Sequence, residues 1–349
     1  MKGKKSMIRF ESDYQEGAHP KILEALAQTN FEQTPGYGTD RFCESAREKI
    51  RAELKADVSG IHFISGGTQT NLLGTAMCLK PWQGALSADT GHIAVHESGS
   101  VEATGHKVLT LPNTLGKISA AQISAFCREH YASLTAEHTV QPGMVYISQP
   151  TEYGTLYSLK ELKDIRQACN EFGLKLFVDG ARLVYALACP ENDVTLSDLA
   201  RLADAFYIGG TKAGALLGEA LVIRDAELDR SFRYLLKQRG AMLAKGRLLG
   251  IQFDVLFTDG LYRKIGSHAI SQAARLRAAF AGAGYAFRVP SPTNQLFPIL
   301  GENALRAFEG KYALSFWEDA PSGKVMRACT SWATRPEDVD ALIRDLPKA

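Results

Sequence analysis

No stretch of the chain approaches the roughly 18 uninterrupted apolar residues that a membrane helix needs. The longest candidate, Ala213 to Ile223, is broken by glycines and by Glu219. The N-terminus carries Lys2, Lys4 and Lys5, but the segment Ile8-Arg9-Phe10-Glu11-Ser12-Asp13 that follows is not an apolar core, so a secretory signal is not expected. Neither sign of charge dominates. Forty Lys+Arg against thirty-eight Asp+Glu leave a formal +2, which gives no electrostatic reason to expect nucleic acid or an acidic membrane as partner. The six cysteines form no C-x-x-C pair, and none stands near a histidine at zinc-finger spacing. No metal site is expected, and scattered thiols in a chain of this length imply a reduced, cytoplasmic protein. There is no internal repeat, low-complexity tract or flexible linker.

What is present is ordinary globular composition, 45% apolar and 22% charged over 349 residues, enough for one large domain or two smaller ones. Short apolar runs alternate with helix-period segments. Strands are expected at His62–Ser65, Ile93–Val95, Lys107–Leu111, Met144–Ser148, Leu174–Val178, Ala205–Ile208 and Glu219–Ile223. Helices are expected at Thr70–Leu79, Ser119–Glu129, Leu159–Phe172 and Ser197–Leu202. Ser158 and Glu161 form a capping box for the third of these, and Gly173 is its stop. Such alternation predicts an α/β layer on a mostly parallel sheet.

After about residue 225 the pattern changes. Long helical stretches cover Glu227–Lys237, Lys245–Phe257 and Gly260–Ala281. Strand-like runs follow at Ala286–Val289, Gln295–Pro298, Tyr312–Phe316 and Val325–Cys329, then a closing helix from Pro336 to Leu346. This predicts a smaller α+β domain at the C-terminus, with an N-terminal segment 1–15, a large domain 16–255 and a small domain 256–349.

Ligands of open α/β sheets gather at the carboxyl ends of the strands, so the residues after each strand matter most. His62–Ser65 is followed by Gly66-Gly67-Thr68-Gln69-Thr70-Asn71 opening a helix, which suits an anion. Leu174–Val178 is followed by Asp179-Gly180-Ala181-Arg182. Ala205–Ile208 is followed by Gly209-Gly210-Thr211-Lys212-Ala213-Gly214, where small neighbours would desolvate the lysine and lower its pKa. Each alone has an ordinary explanation: a strand-to-helix turn, a surface ion pair, a snorkelling lysine. Together they are far more specific. A phosphate cradle, then an aspartate, then a lysine 33 residues later is what pyridoxal 5'-phosphate requires. The helix N-terminus holds the phosphate, the carboxylate pairs with the pyridinium nitrogen, and the amine condenses with the aldehyde.

At this point the sequence resembles the fold-type-I pyridoxal-phosphate enzymes. Within them it is similar to the low-specificity L-threonine aldolase and phenylserine aldolase family, grouped with β-eliminating lyases. The resemblance rests on Ser12-Asp13, Tyr37-Gly38-Thr39-Asp40, Ser65 to Asn71, His92 to Gly99, Ser148 to Thr155, Asp179 to Arg182, Gly209 to Lys212 and Met326 to Trp332. It implies that Lys212 binds the cofactor covalently, Asp179 pairs with its ring nitrogen and His92 stacks on the ring. Gly67, Thr68 and Gln69 would bind the phosphate. Arg182, Arg327 and Ser12 would hold the substrate carboxylate, two guanidinium forks being suited to that group. Tyr37 lies in a motif that in relatives reaches the active site, often across a subunit boundary. Glu97 is a motif residue with no assigned role.

One segment departs from part of the family. Some relatives carry a second histidine near the substrate hydroxyl in a T-H-N-G segment, whereas this chain has Thr151-Glu152-Tyr153-Gly154. That puts the identity of the base in question: His92, or a water near Glu152, with a supporting structural carboxylate an equal alternative for Glu152. His96, alternating with His92 on the expected strand, would face the other way. His19, His106, His130, His138 and His268 show no partner pattern, and Trp332 reads as packing. The basic cluster Arg230, Arg233, Lys237, Arg239, Lys245 and Arg247 reads as a solvated or subunit-interface face. The implied reaction is retro-aldol cleavage of a β-hydroxy-α-amino acid to glycine and an aldehyde, with β-elimination or transamination as the alternative. The resemblance also implies a homo-oligomer, a tetramer built of dimers with shared sites.

Overall fold

The computed structural model describes residues 7–349, and the first six residues of the expected N-terminal segment lie outside the described residues. The described chain opens with a short strand, β1 (Ile8–Arg9). Seven strands follow: β2 (Gly60–Ile64), β3 (Gln83–Ala88), β4 (Val108–Leu111), β5 (Gln141–Ser148), β6 (Lys175–Asp179), β7 (Ala205–Gly209) and β8 (Glu219–Ile223). They form one sheet in the order β2-β8-β7-β6-β5-β3-β4. The pairs β4/β3, β3/β5, β5/β6 and β6/β7 are parallel, while β8 runs antiparallel to both β7 and β2. Strands β7 and β8 are buried at every residue, as expected of a sheet covered by helices on both faces.

The register of this sheet builds the site. Ser148 stands opposite Asp179 at the ends of β5 and β6. Glu219, the first residue of the reversed strand β8, stands opposite both Gly209 and Ile64, the last residues of β7 and β2. Strand ends far apart in sequence therefore meet along one edge.

Most expected elements appear. The helix Leu159–Phe172 carries the Ser158/Glu161 capping box and ends at Gly173, whose φ of 66° is left-handed. Several elements lie outside those expected, among them one strand of the large sheet and two helices. Strand β3 is rich in small residues and has no β-branched one, so it carries little strand signal; at Gly84 an added Cβ would lie 2.6 Å from the Lys107 carbonyl, which explains the glycine. The helices Pro20–Gln28 and Arg41–Leu54 were also unread. The second had a signal: Asp40 caps Phe42 and Cys43, and Phe42, Cys43, Ala46, Ile50 and Leu54 form its buried stripe.

One expected strand is helical instead. Ile93–Val95 belongs to a single helical turn, His92–Val95. Both flanks of β3 are already taken by β4 and β5, so no sheet edge is open beside it. The correction turns His96 round: four residues after His92, it shares that residue's side of the turn.

In the C-terminal part β9 (Gln295–Leu296), β10 (Ile299–Leu300), β12 (Ser315–Ala320) and β13 (Gly323–Cys329) make an antiparallel sheet, with β11 (Tyr312–Ala313) paired in parallel with β1. Tyr312–Phe316 is thus split between two sheets, and Ala286–Val289 contributes only a single bridge, Phe287 to Pro298. The helix Leu261–Gly282 joins the two parts. Its Gly266 allows close approach to the helix Leu183–Ala188, since a Cβ there would lie 2.4 Å from the Val184 carbonyl. All six cysteines are buried and free. Among the described residues no helix is long and apolar enough to cross a membrane.

Candidate active site

A cavity of about 800 Å³ opens at the edge where the strand ends meet. Gly66, Gly67 and Thr68 line one wall, and Lys212, Arg182, Arg327, His92, His96 and Trp317 line others. A small inner pocket at its base adds Asp179, Ser148 and Tyr207.

The first wall is the start of the helix Gly67–Cys78. Gly66 is its N-cap and offers no capping side chain, and Thr70 N–H makes the turn's first bond, to the Gly66 carbonyl. The N–H groups of Gly67, Thr68 and Gln69 precede the ladder, the arrangement that favours an anion. The Gln69 side chain is engaged elsewhere, accepting from Ser65 Oγ at 2.6 Å and donating to the Arg239 carbonyl at 3.3 Å. Only its backbone N–H is left to face the helix N-terminus.

Asp179 is buried and ends β6. Burial alone would raise its pKa, but His92 and hydrogen bonds from Tyr146, Tyr207 and the Ala181 N–H hold it below the usual carboxylate range. Tyr146 reaches Oδ2, Asn71 Nδ2 donates to the same oxygen at 3.1 Å, and Ala181 N–H donates to Oδ1 at 2.9 Å. An anion fixed this way suits a pyridinium partner.

Lys212 sits in the tight turn Thr211–Ala213 after β7. That turn is clamped on every side. Tyr262 Oη donates to the Gly209 carbonyl at 2.9 Å, Tyr185 Oη donates to the Lys212 carbonyl, and Gly210 N–H donates to Glu219 at 2.9 Å. Gly210 has no room for a side chain, because a Cβ would lie 2.6 Å from the Gly218 carbonyl. Burial pushes the Lys212 amine below the ordinary lysine value, and Arg182 pushes it further. Burial raises Glu219 to about 7.

His92 is held twice. Its backbone N–H donates to Glu152 at 2.9 Å, and its Nδ1 pairs with Glu97 at 2.6 Å. Glu97 is buried and also accepts from Asn71 at 2.7 Å and Ser100 at 2.5 Å. One carboxylate therefore ties the histidine to the Asn71 that touches Asp179. Glu152 accepts from Ser148 Oγ at 2.7 Å through the same oxygen that receives His92, and burial raises its pKa.

The two arginines enter from different parts of the chain. Arg182 precedes the helix Leu183–Ala188, and its Nε and Nη2 grip both oxygens of buried Asp13, at 2.7 and 3.0 Å. Arg327 lies on β13 and donates to the Glu11 carbonyl at 2.9 Å, while its buried Nε has no partner among the described residues. Ser12 stands between Glu11 and Asp13, the two residues that these arginines hold. Tyr37 is not brought to this cavity. It is exposed, has a positive φ of 60°, and lies under Lys237 Nζ at 4.7 Å in a separate surface pocket. Sequence reasoning missed Tyr146, Tyr207 and Asp13 as site residues and left Glu97 without a role; buried polar residues beside strand ends carry no spacing signature of their own.

The model of the beta-eliminating lyase family matches residues 9–313. The chain belongs to that family. It is 31% identical over 343 residues to a low specificity L-threonine aldolase of Pseudomonas sp. (strain NCIMB 10558), covering 97% of this chain and 96% of that protein. The solved structure of a Leishmania major threonine aldolase superposes with a TM-score of 0.93 at 46% identity, covering 97% of this chain and 98% of that one. An aspartate aminotransferase of Thermus thermophilus, 14% identical, superposes with a TM-score of 0.71 and shares the fold alone. The architecture is that of the fold-type-I pyridoxal-phosphate enzymes, and this member of the beta-eliminating lyase family is a pyridoxal-phosphate-dependent lyase. The donor set fits that cofactor: an open helix N-terminus, an ionised buried aspartate and a desolvated amine face one cavity.

Proposed function

We propose that this chain performs retro-aldol cleavage of β-hydroxy-α-amino acids, such as L-threonine, L-allo-threonine or phenylserine, to glycine and an aldehyde. The observation that carries the reading is the meeting of Lys212, Asp179, the Gly66–Thr68 cradle and Arg327 around one cavity. The likeness to the Pseudomonas and Leishmania aldolases supports the same reaction.

In this reading the N–H groups of Gly67, Thr68 and Gln69 hold the phosphate, His92 covers the ring, Asp179 meets the ring nitrogen and Lys212 meets the aldehyde. When bound, the cofactor supplies an electron sink for the pair released from the substrate's Cα. Arg327 binds the substrate carboxylate, with Arg182 and Ser12 completing that end. Arg182 does so while anchored on Asp13, which fixes its fork before substrate arrives. Fixing the carboxylate would orient the substrate's Cα and so select which of its bonds breaks. Glu152 holds the His92 turn through a backbone bond and needs no proton of its own to do so. Residues 16–255 carry the cofactor, and residues 256–349 contribute Arg327. Tyr37, exposed and remote from the cavity of its own chain, supports a homo-oligomer, with tetramer and cytoplasm as the expected state and compartment.

Product analysis tests the reaction. Protein loaded with cofactor and given each of the three substrates is expected to release glycine and the matching aldehyde in equal amounts. Ammonia and a 2-oxo acid would instead mean β-elimination, and a 2-oxo acid with an aminated cofactor would mean transamination.

A further inference from the structure

The aldol cleavage needs a group that takes the β-hydroxyl proton; of the cavity's side chains with that chemistry, Glu219 is engaged by the Gly210 N–H, which leaves His92, Glu152 and His96. The two inner ones each have one atom committed elsewhere. His92 has Nδ1 committed to Glu97, and Glu152 uses one oxygen for both Ser148 and the His92 N–H. Both also line the inner pocket beside Asp179, where the cofactor ring fits. His96 lines only the outer chamber, with Arg327 and Trp317. Its ring lies between those of His92, 5.6 Å away, and Trp317, 6.3 Å away and edge-on. Neither of its nitrogens has a hydrogen-bond partner among the described residues.

We propose that His96 is the residue that accepts the β-hydroxyl proton of the substrate, an inference that rests on the aldol reading above. The placement follows from what surrounds it. His92 from its own turn, Arg327 from β13, Arg182 after β6 and Lys212 after β7 are the charged or titratable groups whose fields reach the ring. In the proposed reading Arg327 and Arg182 hold the substrate carboxylate, and His96 lines the same outer chamber, where it can face the substrate's side chain. Partial desolvation and the charges of these neighbours lower the pKa of the imidazole, which favours the neutral form that accepts a proton. The step balances without another reactant. The O–H proton moves to an imidazole nitrogen, the O–H pair becomes the second bond of the carbonyl, and the Cα–Cβ pair passes to Cα. A proton then adds at Cα to give glycine, and the imidazolium gives its proton to solvent.

The test separates this step from the rest of the site. Exchange of the glycine α-hydrogen in deuterated water uses Lys212, Asp179 and the arginines but no β-hydroxyl. In the cofactor-loaded His96→Gln enzyme, kcat for L-threonine cleavage should fall by about 100-fold or more. KM and glycine exchange should stay within about threefold, and the acidic limb of the kcat/KM profile should vanish. His96→Asn should behave alike, and since the ring is exposed both variants should fold. Cleavage within threefold of the parent, or cleavage and exchange falling together, would overturn the proposal. A parent enzyme that exchanges glycine but cleaves no β-hydroxy amino acid would overturn the aldol reading itself, and His96 with it.

Discussion

Arg182 and Asp13 form a two-pronged ion pair, 2.7 and 3.0 Å long, that ties the start of the chain to the end of the central sheet. Asn294 Nδ2 adds a third bond to the same carboxylate at 2.9 Å, so three distant parts of the sequence converge on Asp13. Asp13→Asn leaves a buried guanidinium without its counter-charge. The expected loss is about 3–5 kcal/mol of unfolding free energy, read by denaturant titration, with a rise in substrate KM as Arg182 loses its anchor. A change below about 1 kcal/mol would show that the pair does not order the site.

The same aspartate gives an acid limb to stability. Burial opposes its charge, yet Arg182, Lys212 and the bonds from Arg182 and Asn294 hold its pKa down at about 2. A depressed folded-state value means that its stabilisation is complete above the unfolded carboxyl value of 3.8 and is lost as pH falls toward 2. Stability measured from pH 5 to pH 2 should fall more steeply in the parent than in Asp13→Asn.

Glu219 should act with the opposite sign. Its pKa is raised from 4.5 to about 7, so the folded state holds that proton more firmly than the unfolded chain. Its contribution therefore declines as pH rises from 4.5 to 7. Cofactor-free Glu219→Gln should lack this decline, and the difference between the two denaturation midpoints should widen in favour of the variant from pH 5 to pH 8. Parallel pH curves would contradict the assignment.

Glu97 receives three donors, from His92, Asn71 and Ser100, on one buried carboxylate. Glu97→Gln places an NH₂ group among them, and at least one buried donor loses its acceptor. At about 1–3 kcal/mol for such a loss, kcat/KM should drop roughly 10- to 100-fold. A steady-state assay and a thermal melt separate lost positioning from lost folding: the first lowers kcat/KM with little change in melting.

Gly180 marks how closely the strand ends approach. A Cβ there would lie 1.8 Å from the Tyr207 carbonyl, which is backbone and cannot swing away. Gly180→Ala should cost about 3 kcal/mol or more and lower the soluble yield. Melting within two or three degrees of the parent would contradict the packing.

Much of the candidate site is legible in the sequence, because its residues sit directly after strands. Asp179 and Lys212 follow apolar runs that only a strand explains, and glycines mark the turns. The residues that hold them were hidden. Tyr146 and Tyr207 lie inside β5 and β7, where a buried aromatic looks like core until the neighbouring strand end is known. Asp13 is 169 residues from Arg182, and nothing local links them. His96 was misplaced because a three-residue apolar run fits a strand or one turn of helix equally well, and only the occupied flanks of β3 decide between them. The small-residue strand β3 was missed because β signal comes from bulk, and close packing against Lys107 demands the reverse.

The most direct test of a cofactor site centred on Lys212 is borohydride reduction of the protein mixed with pyridoxal phosphate, followed by peptide mapping. The reduced cofactor should be found on the peptide carrying Lys212, and Lys212→Ala protein should carry none there or elsewhere. Label on a different lysine, or equal labelling of the variant, would contradict the account.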